Sequence, residues 1–160
     1  MGVESANYRY VSDGDKSQEL ELVFCELGIE CISEVKDGMF KNYVFRGEHF
    51  WIDIQVNARR QEVDVRSLVS IRVALINPGD VAGKLRELLK YLLGRCGGWV
   101  IDMSTRERYS SIDDGSWDRL WREFLTRRRD FIRGHGEFEA AISGADVFQY
   151  MRENRRLAES

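Results

Sequence analysis

The stretch "ECISEVKDGMFKNYVFRGEHFWIDIQV", residues 30–56, reads as three consecutive strands joined by short turns. "ECISEV" and "MFKNYVF" flank Asp37-Gly38, the dipeptide favoured in two-residue hairpins. In "HFWIDIQV" the alternation is clean: Phe50, Ile52, Ile54 and Val56 face one way, while His49, Trp51, Asp53 and Gln55 face the other. Strands that follow one another across turns this short pair antiparallel. That decides the class of fold.

The flanks complete the pattern. Upstream, a short strand from Tyr8 to Val11 closes on the turn-like "SDGD". Leu20, Val23, Phe24 and Leu27 then fall at helical spacing, with Gly28 as the stop. Downstream, the charged "NARRQEVDVR" (57–66) is a loop or hairpin tip, and "LVSIRVALI" is a strand with Val69, Ile71, Val73 and Leu75 inward. In "NPGD" Asn77 is placed to cap a second helix, with Pro78 at its first position and Asp80 at its positive end. Val81, Leu85, Leu88, Leu89 and Leu92 form that helix's apolar stripe, and Gly94 is expected to end it. "GWVIDMS" and "RERYSSI" make a strand pair around Thr105, the longest helix runs from Asp114 or Ser116 to about Arg133, and an amphipathic helix is expected over 145–157, loosely attached. The order β-α-β-β-β-β-α-β-β-α-α predicts an α+β fold: a mainly antiparallel sheet packed with helices, one domain over 1–160, with a long amphipathic C-terminal helix.

Totals narrow the function. A hydrophobic share of 43% suits a packed core rather than a disordered chain. The net charge of −3 argues against nonspecific binding to nucleic acid or an anionic membrane, and no apolar run nears the ~20 residues that span a bilayer. "MGVESANYRY" carries neither the basic nor the apolar part of a secretory signal. Cys25, Cys31 and Cys96 are an odd number without CxxC spacing and read as reduced, mostly buried thiols of a cytoplasmic protein. No close Cys or His pairs announce a metal, and no cofactor is expected.

Motifs that carry chemistry fail in detail. "NPGDVAGKL" has the strand, glycine turn and helix of a phosphate loop, but three residues separate Gly79 from Gly83-Lys84 instead of four, and Leu85 stands where a hydroxyl should meet magnesium. Glu34-x-Lys36 has the shape of half a metal-dependent nuclease site, without an upstream acid on a neighbouring strand. His49 and His135, the only histidines, lack a neighbouring nucleophile signature. These residues point away from catalysis.

Binding residues are easier to find. Trp51 and Asp53 project from the polar side of their strand, as a partner-binding anchor or beneath a second helix layer. Glu19, Glu26, Glu30, Glu34 and Asp37 give the N-terminal part a negative face, solvating or suited to a basic protein. Trp51, Asp53, Glu26, Glu30, Glu34 and Asp37 are therefore the candidate partner-binding residues.

"YRYVSDGDKSQELELVFCELGIE" and "VSIRVALINPGDVAGKLRELLKYLLGRCGGWVIDMSTRERY" together resemble bacterial immunity proteins of contact-dependent and other polymorphic toxin systems. The resemblance is one of architecture and covers residues 7–112; it departs in the charged loop at 57–66. It implies a small cytoplasmic protein, without catalysis, that binds and blocks one cognate protein toxin at its C-terminal toxin domain; no site residue is carried over. "WDRLWREFLTRRRDFI" is similar to an end helix of class I type III secretion chaperones, which implies an effector-binding protein as the alternative, although here the second helix follows four strands and not three. A small metal-dependent nuclease stands third.

The arginine run in "FLTRRRDFIRGHGEF" (124–138) belongs to the long helix. Trp117, Leu120, Trp121, Phe124, Leu125, Phe131 and Ile132 line one stripe, and at 100° per residue Arg127, Arg128 and Arg129 span about 200°, too wide for one basic patch. Arg127 is expected to pair with Glu123, and Arg128 to lie within the stripe. Arg128→Ala is expected to cost more stability than Arg127→Ala.

Overall fold

The computed structural model describes residues 5–35, 40–57, 68–75, 77 and 81–134. Its strands are β1 (Ser5–Val11), β2 (Glu30–Val35), β3 (Phe40–Arg46), β4 (Trp51–Asn57), β5 (Leu68–Ala74), β6 (Trp99–Asp102) and β7 (Arg108–Tyr109). They form one sheet in the order β2-β3-β4-β5-β1-β6-β7, and every adjacent pair is antiparallel. Three helices, α1 (Ser17–Leu27), α2 (Val81–Cys96) and α3 (Asp114–Gly134), complete an α+β domain.

Period-2 alternation sorts the strands onto two faces. β1 buries Ala6, Tyr8 and Tyr10 and exposes Asn7 and Arg9. β5 does the same with Val69, Ile71 and Val73 against Ser70 and Arg72. The buried set meets the helices: Val81, Leu85, Leu88, Leu89 and Leu92 of α2 are fully enclosed, and Leu20, Val23 and Phe24 of α1 join them. Each such side chain contributes about 1.5–3 kcal/mol by leaving water. Tyr10 fixes α2 to β1 through its hydroxyl, which donates to the carbonyl of Gly97 at 2.8 Å.

α1 ends as expected. Gly28 adopts φ 72°, its N–H and that of Ile29 closing back on Cys25 and Phe24. α2 does not end at Gly94: it runs on to Cys96 and stops at Gly97 and Gly98, both with positive φ. A Cβ on Gly98 would overlap the Val11 carbonyl, so this pair, more than Gly94, forces the turn into β6.

α3 is capped by Asp113, whose carboxylate accepts the Ser116 N–H at 2.7 Å and is held below its ordinary pKa by that bond. Trp117, Leu120 and Phe124 are buried, and Trp117, Trp121 and Phe124 stack in succession. Leu125, placed in the stripe by its spacing, is instead 45% exposed. Of the three cysteines, expected mostly buried, Cys25 and Cys31 are exposed and Cys96 is buried. Asn77 also departs from expectation. It is buried, its carboxamide accepts the Trp51 N–H at 2.8 Å, and it donates at 3.0 Å to the carbonyls of Trp51 and Ala74. It ties β4 to the end of β5, and among the described residues it makes no capping bond to α2. The Asp37-Gly38 turn, most of the charged loop, Pro78–Asp80, His135 and the expected helix at 145–157 lie outside the described residues.

Candidate interaction face

The three described helices lie on one face of the sheet. α2 is held to β1 by Tyr10, α1 meets β3 through Phe24 on Tyr43, and α3 reaches β1 where the Arg127 guanidinium donates to the Ser5 carbonyl at 3.0 Å. The other face carries no helix among the described residues. Register places its side chains in ranks across the strands. The longest rank runs from Ser33 through Asn42, Gln55, Ser70, Arg9 and Ile101 to Arg108, one residue from each of the seven strands. At ~4.8 Å per strand it extends about 29 Å. Asn42 donates to Ser33 at 3.0 Å and accepts from Gln55 at 3.1 Å, so the β2–β4 end of the rank is a hydrogen-bonded amide and hydroxyl ladder.

At the other end the charge is positive. Arg9 and Arg108 stand on either side of Ile101, and neither forms an ion pair with a described residue. The Arg108 guanidinium lies 4.6 Å from the centre of the Trp99 ring. Arg72 and Asn7 are opposite one another in the neighbouring rank.

The sequence-predicted residues separate into two groups. Trp51, Asp53 and Glu30 meet at one corner of the bare face. The Trp51 indole donates to Asp53 at 3.0 Å, Arg46 covers the indole at 5.7 Å, and Arg46 pairs with Glu30 at 3.0 Å. Trp51 points to this face as its alternation requires, yet it is only 5% exposed. Trp51 is therefore no exposed anchor: it is covered, as the alternative reading required, with Arg46 over its indole and Asn77 clamping its backbone among its contacts. Glu34 and Glu26 sit on the helical side. Glu34 and Glu21 both approach Lys41, at 3.8 and 3.6 Å, and Glu26 bridges α1 to α2 through Arg95 at 3.0 Å. Asp37 lies outside the described residues. The acidic residues thus do not form one negative face; each described member of the partner-binding set already has a donor.

Beneath α3 is a second polar cluster. Asp102 is buried, and burial raises its carboxyl pKa against the opposing pull of the Ser104 and Thr105 N–H groups. Tyr8 beside it is pushed well above the ordinary phenol range by burial, with the Asp102 charge adding to the shift. Ser104 donates to Glu123 at 3.3 Å, and Tyr109 to Glu107 at 2.8 Å. Arg127 closes the cluster by bonding Ser5, where sequence spacing suggested a pairing with Glu123. On the α1 side, burial together with Cys31, Glu21 and Glu34 pushes the Tyr43 hydroxyl up to about 12. These groups fasten elements to one another.

Among the described residues no three of His, Cys, Asp and Glu converge to hold a metal ion, and no helix is long and apolar enough to cross a membrane. Glu34 of the Glu-x-Lys pattern is engaged by Lys41, and Lys36 lies outside the described residues. His49 is exposed beside Glu48 in the β3–β4 turn. No family model matches the chain, and neither does any curated protein or solved structure.

Arg9, Ile101 and Arg108 were missed by sequence reasoning. Their outward direction was readable, since Arg9 lies between the inward Tyr8 and Tyr10. Their adjacency was not, because it depends on β1 sitting between β5 and β6.

Proposed function

We propose that this chain is a non-catalytic protein-binding domain: an immunity protein that binds and neutralises a cognate bacterial toxin in the cytoplasm. The observation that carries the reading is the bare face. Among the described residues helices close one side of the sheet, while the other presents ranks of mostly polar side chains about 29 Å across and about 20 Å along the strands, interrupted at the β3–β4 end by the buried Val44 and Trp51. That is of the order of the ~800 Å² per partner in a standard protein interface. A broad, hydrogen-bonding sheet surface of this size suits a protein better than a small substrate, which needs a concave site. The described titratable groups at the corner and under α3 serve as ion pairs and structural bonds, which leaves the face for recognition.

Co-expression tests the reading. The C-terminal domain of a toxin encoded beside this chain should arrest growth alone and should be tolerated when the chain is present, with a stable complex on size exclusion. Arrest that persists at full expression of the chain sinks the proposal. A dimer that binds an exported effector instead would move the reading to the secretion chaperone.

A further inference from the structure

The partner's chemistry is legible in the bare face. We propose that its β1–β6–β7 end receives an acidic protein segment, with carboxylates on Arg9 and Arg108 and an apolar side chain over Ile101. This rests on the protein-binding reading above and adds the sign of the partner's surface. Sequence composition suggested the opposite sign, an acidic face meeting a basic protein.

Charge bookkeeping by position reverses that expectation. On the bare face Glu30 is taken by Arg46, and Asp53 accepts the Trp51 indole N–H. Arg9 and Arg108 are exposed and make no ion pair with a described residue. They are two strands apart, about 10 Å, with Ile101 between them in strict register. That spacing admits two carboxylates from one extended segment, whose residues i and i+2 on a shared side lie about 7 Å apart and i and i+4 about 14 Å. Arg108 is held in advance: its guanidinium lies on the Trp99 ring at 4.6 Å, which fixes the plane of its donor fork and leaves those donors for a bidentate carboxylate. Both charges are on strands of the sheet, so little backbone entropy is lost on binding.

A nucleic acid is the other anionic macromolecule this end could meet, and two observations disfavour it. The Trp99 ring, the indole described at this end of the face, already has Arg108 over it where a base would stack. Between the two arginines stands the apolar Ile101, which offers a phosphate backbone no donor and suits a side chain instead.

The experiment is an amide NMR titration of the full chain and of a doubly reversed variant, Arg9→Glu with Arg108→Glu. Three probes of equal length are used: a glutamate-rich peptide, a lysine-rich peptide and a single-stranded oligonucleotide. The glutamate peptide is expected to shift Arg9, Ser70, Ile101 and Arg108 and to bind the variant about tenfold or more weakly. No shift at those positions overturns the proposal, as does tighter binding of the oligonucleotide or of the lysine peptide there. Both arginines are exposed, and an unchanged thermal midpoint confirms that the variant is folded. Lysine substitution at both sites supplies a second folded variant that should keep partial binding. The toxin co-expression assay separates the two readings. Rescue kept at full strength by the doubly reversed variant breaks the surface assignment alone. Rescue absent from the wild-type chain, with the peptide shifts intact, breaks the neutralisation reading alone.

Discussion

Ser70 and Ile71 are neighbours in β5, yet one belongs to a surface and the other to the core. The two faces of the sheet differ in this way along β5 and β1, whereas β3 and β4 bury Val44 and Trp51 on the second face as well. The helical face is closed by apolar contact, and its few polar groups are structural bonds; the bare face is a rank of hydrogen-bonding side chains ending in two arginines. The difference teaches that one side of the sheet carries most of the stability, which leaves the other for the proposed recognition, so each should be breakable without the other. The largest test is the adjacent pair itself. Ile71→Ala should cost about 3–4 kcal/mol by chemical denaturation, from lost burial and a residual cavity. Ser70→Ala should stay within about 0.5 kcal/mol. Comparable losses at the two positions would end the division of labour.

How much of this was legible depended on range. Strand alternation and the α2 stripe are local periodicities, and Val69, Ile71, Val73, Leu85 and Leu89 are buried as their spacing required. Most of the failures involve partners far along the chain. Asn77 looked like a cap because its local context is Asn-Pro-Gly-Asp, but its bonds go to Trp51, 26 residues earlier. Gly94 is a plausible helix stop until the Gly98 backbone is seen against Val11. Trp51 was correctly aimed, and its burial under Arg46 follows from β3–β4 register, which composition does not encode. For the candidate site, directions were readable and neighbours were not, since no local signal places β1 between β5 and β6.

Asn77 supplies the next test, at the seam between the faces. Replacing it with alanine strands the buried Trp51 N–H and carbonyl, and should cost about 2–3 kcal/mol. Asn42→Ala, within the bare rank where water can replace the lost bonds, should cost under about 1 kcal/mol. An Asn77 variant as stable as the Asn42 variant would show that the latch is idle.

The arginine triplet gives a smaller effect, and its expected order is now reversed. Arg127 and Arg128 are both half-buried, but Arg127 donates to the Ser5 carbonyl and so joins α3 to β1. Arg127→Ala should cost about 1.5 kcal/mol, as for a hydrogen bond from a charged group. Arg128→Ala should cost less, through lost packing of its stem, and the exposed Arg129→Ala least. Thermal melts of the three single variants rank them, and Arg128 in first place would return the sequence-based placement.

The smallest effect appears as a slope with pH. Asp102 belongs to the helical face, and its carboxyl pKa is raised chiefly by burial, with Glu123 adding to the shift and Arg127 opposing it. A raised pKa in the folded state means that the unfolded chain loses this proton first as pH climbs. Between the two values the folded state binds more protons, so this residue's contribution to stability falls as pH rises from about 4 through the folded value, and is level on either side. Asp102→Asn keeps an oxygen for the Ser104 N–H and removes the titration. The stability difference, variant minus wild type, should therefore move in the variant's favour as pH rises through that window. Taking the difference also cancels Asp113, whose lowered pKa acts with the opposite sign: its contribution is present above the unfolded value and is lost as pH falls through the folded one. A difference that stays flat or moves against the variant would mean that Asp102 is solvated in the folded chain, and that the helical face is less sealed at β6 than its burial indicates.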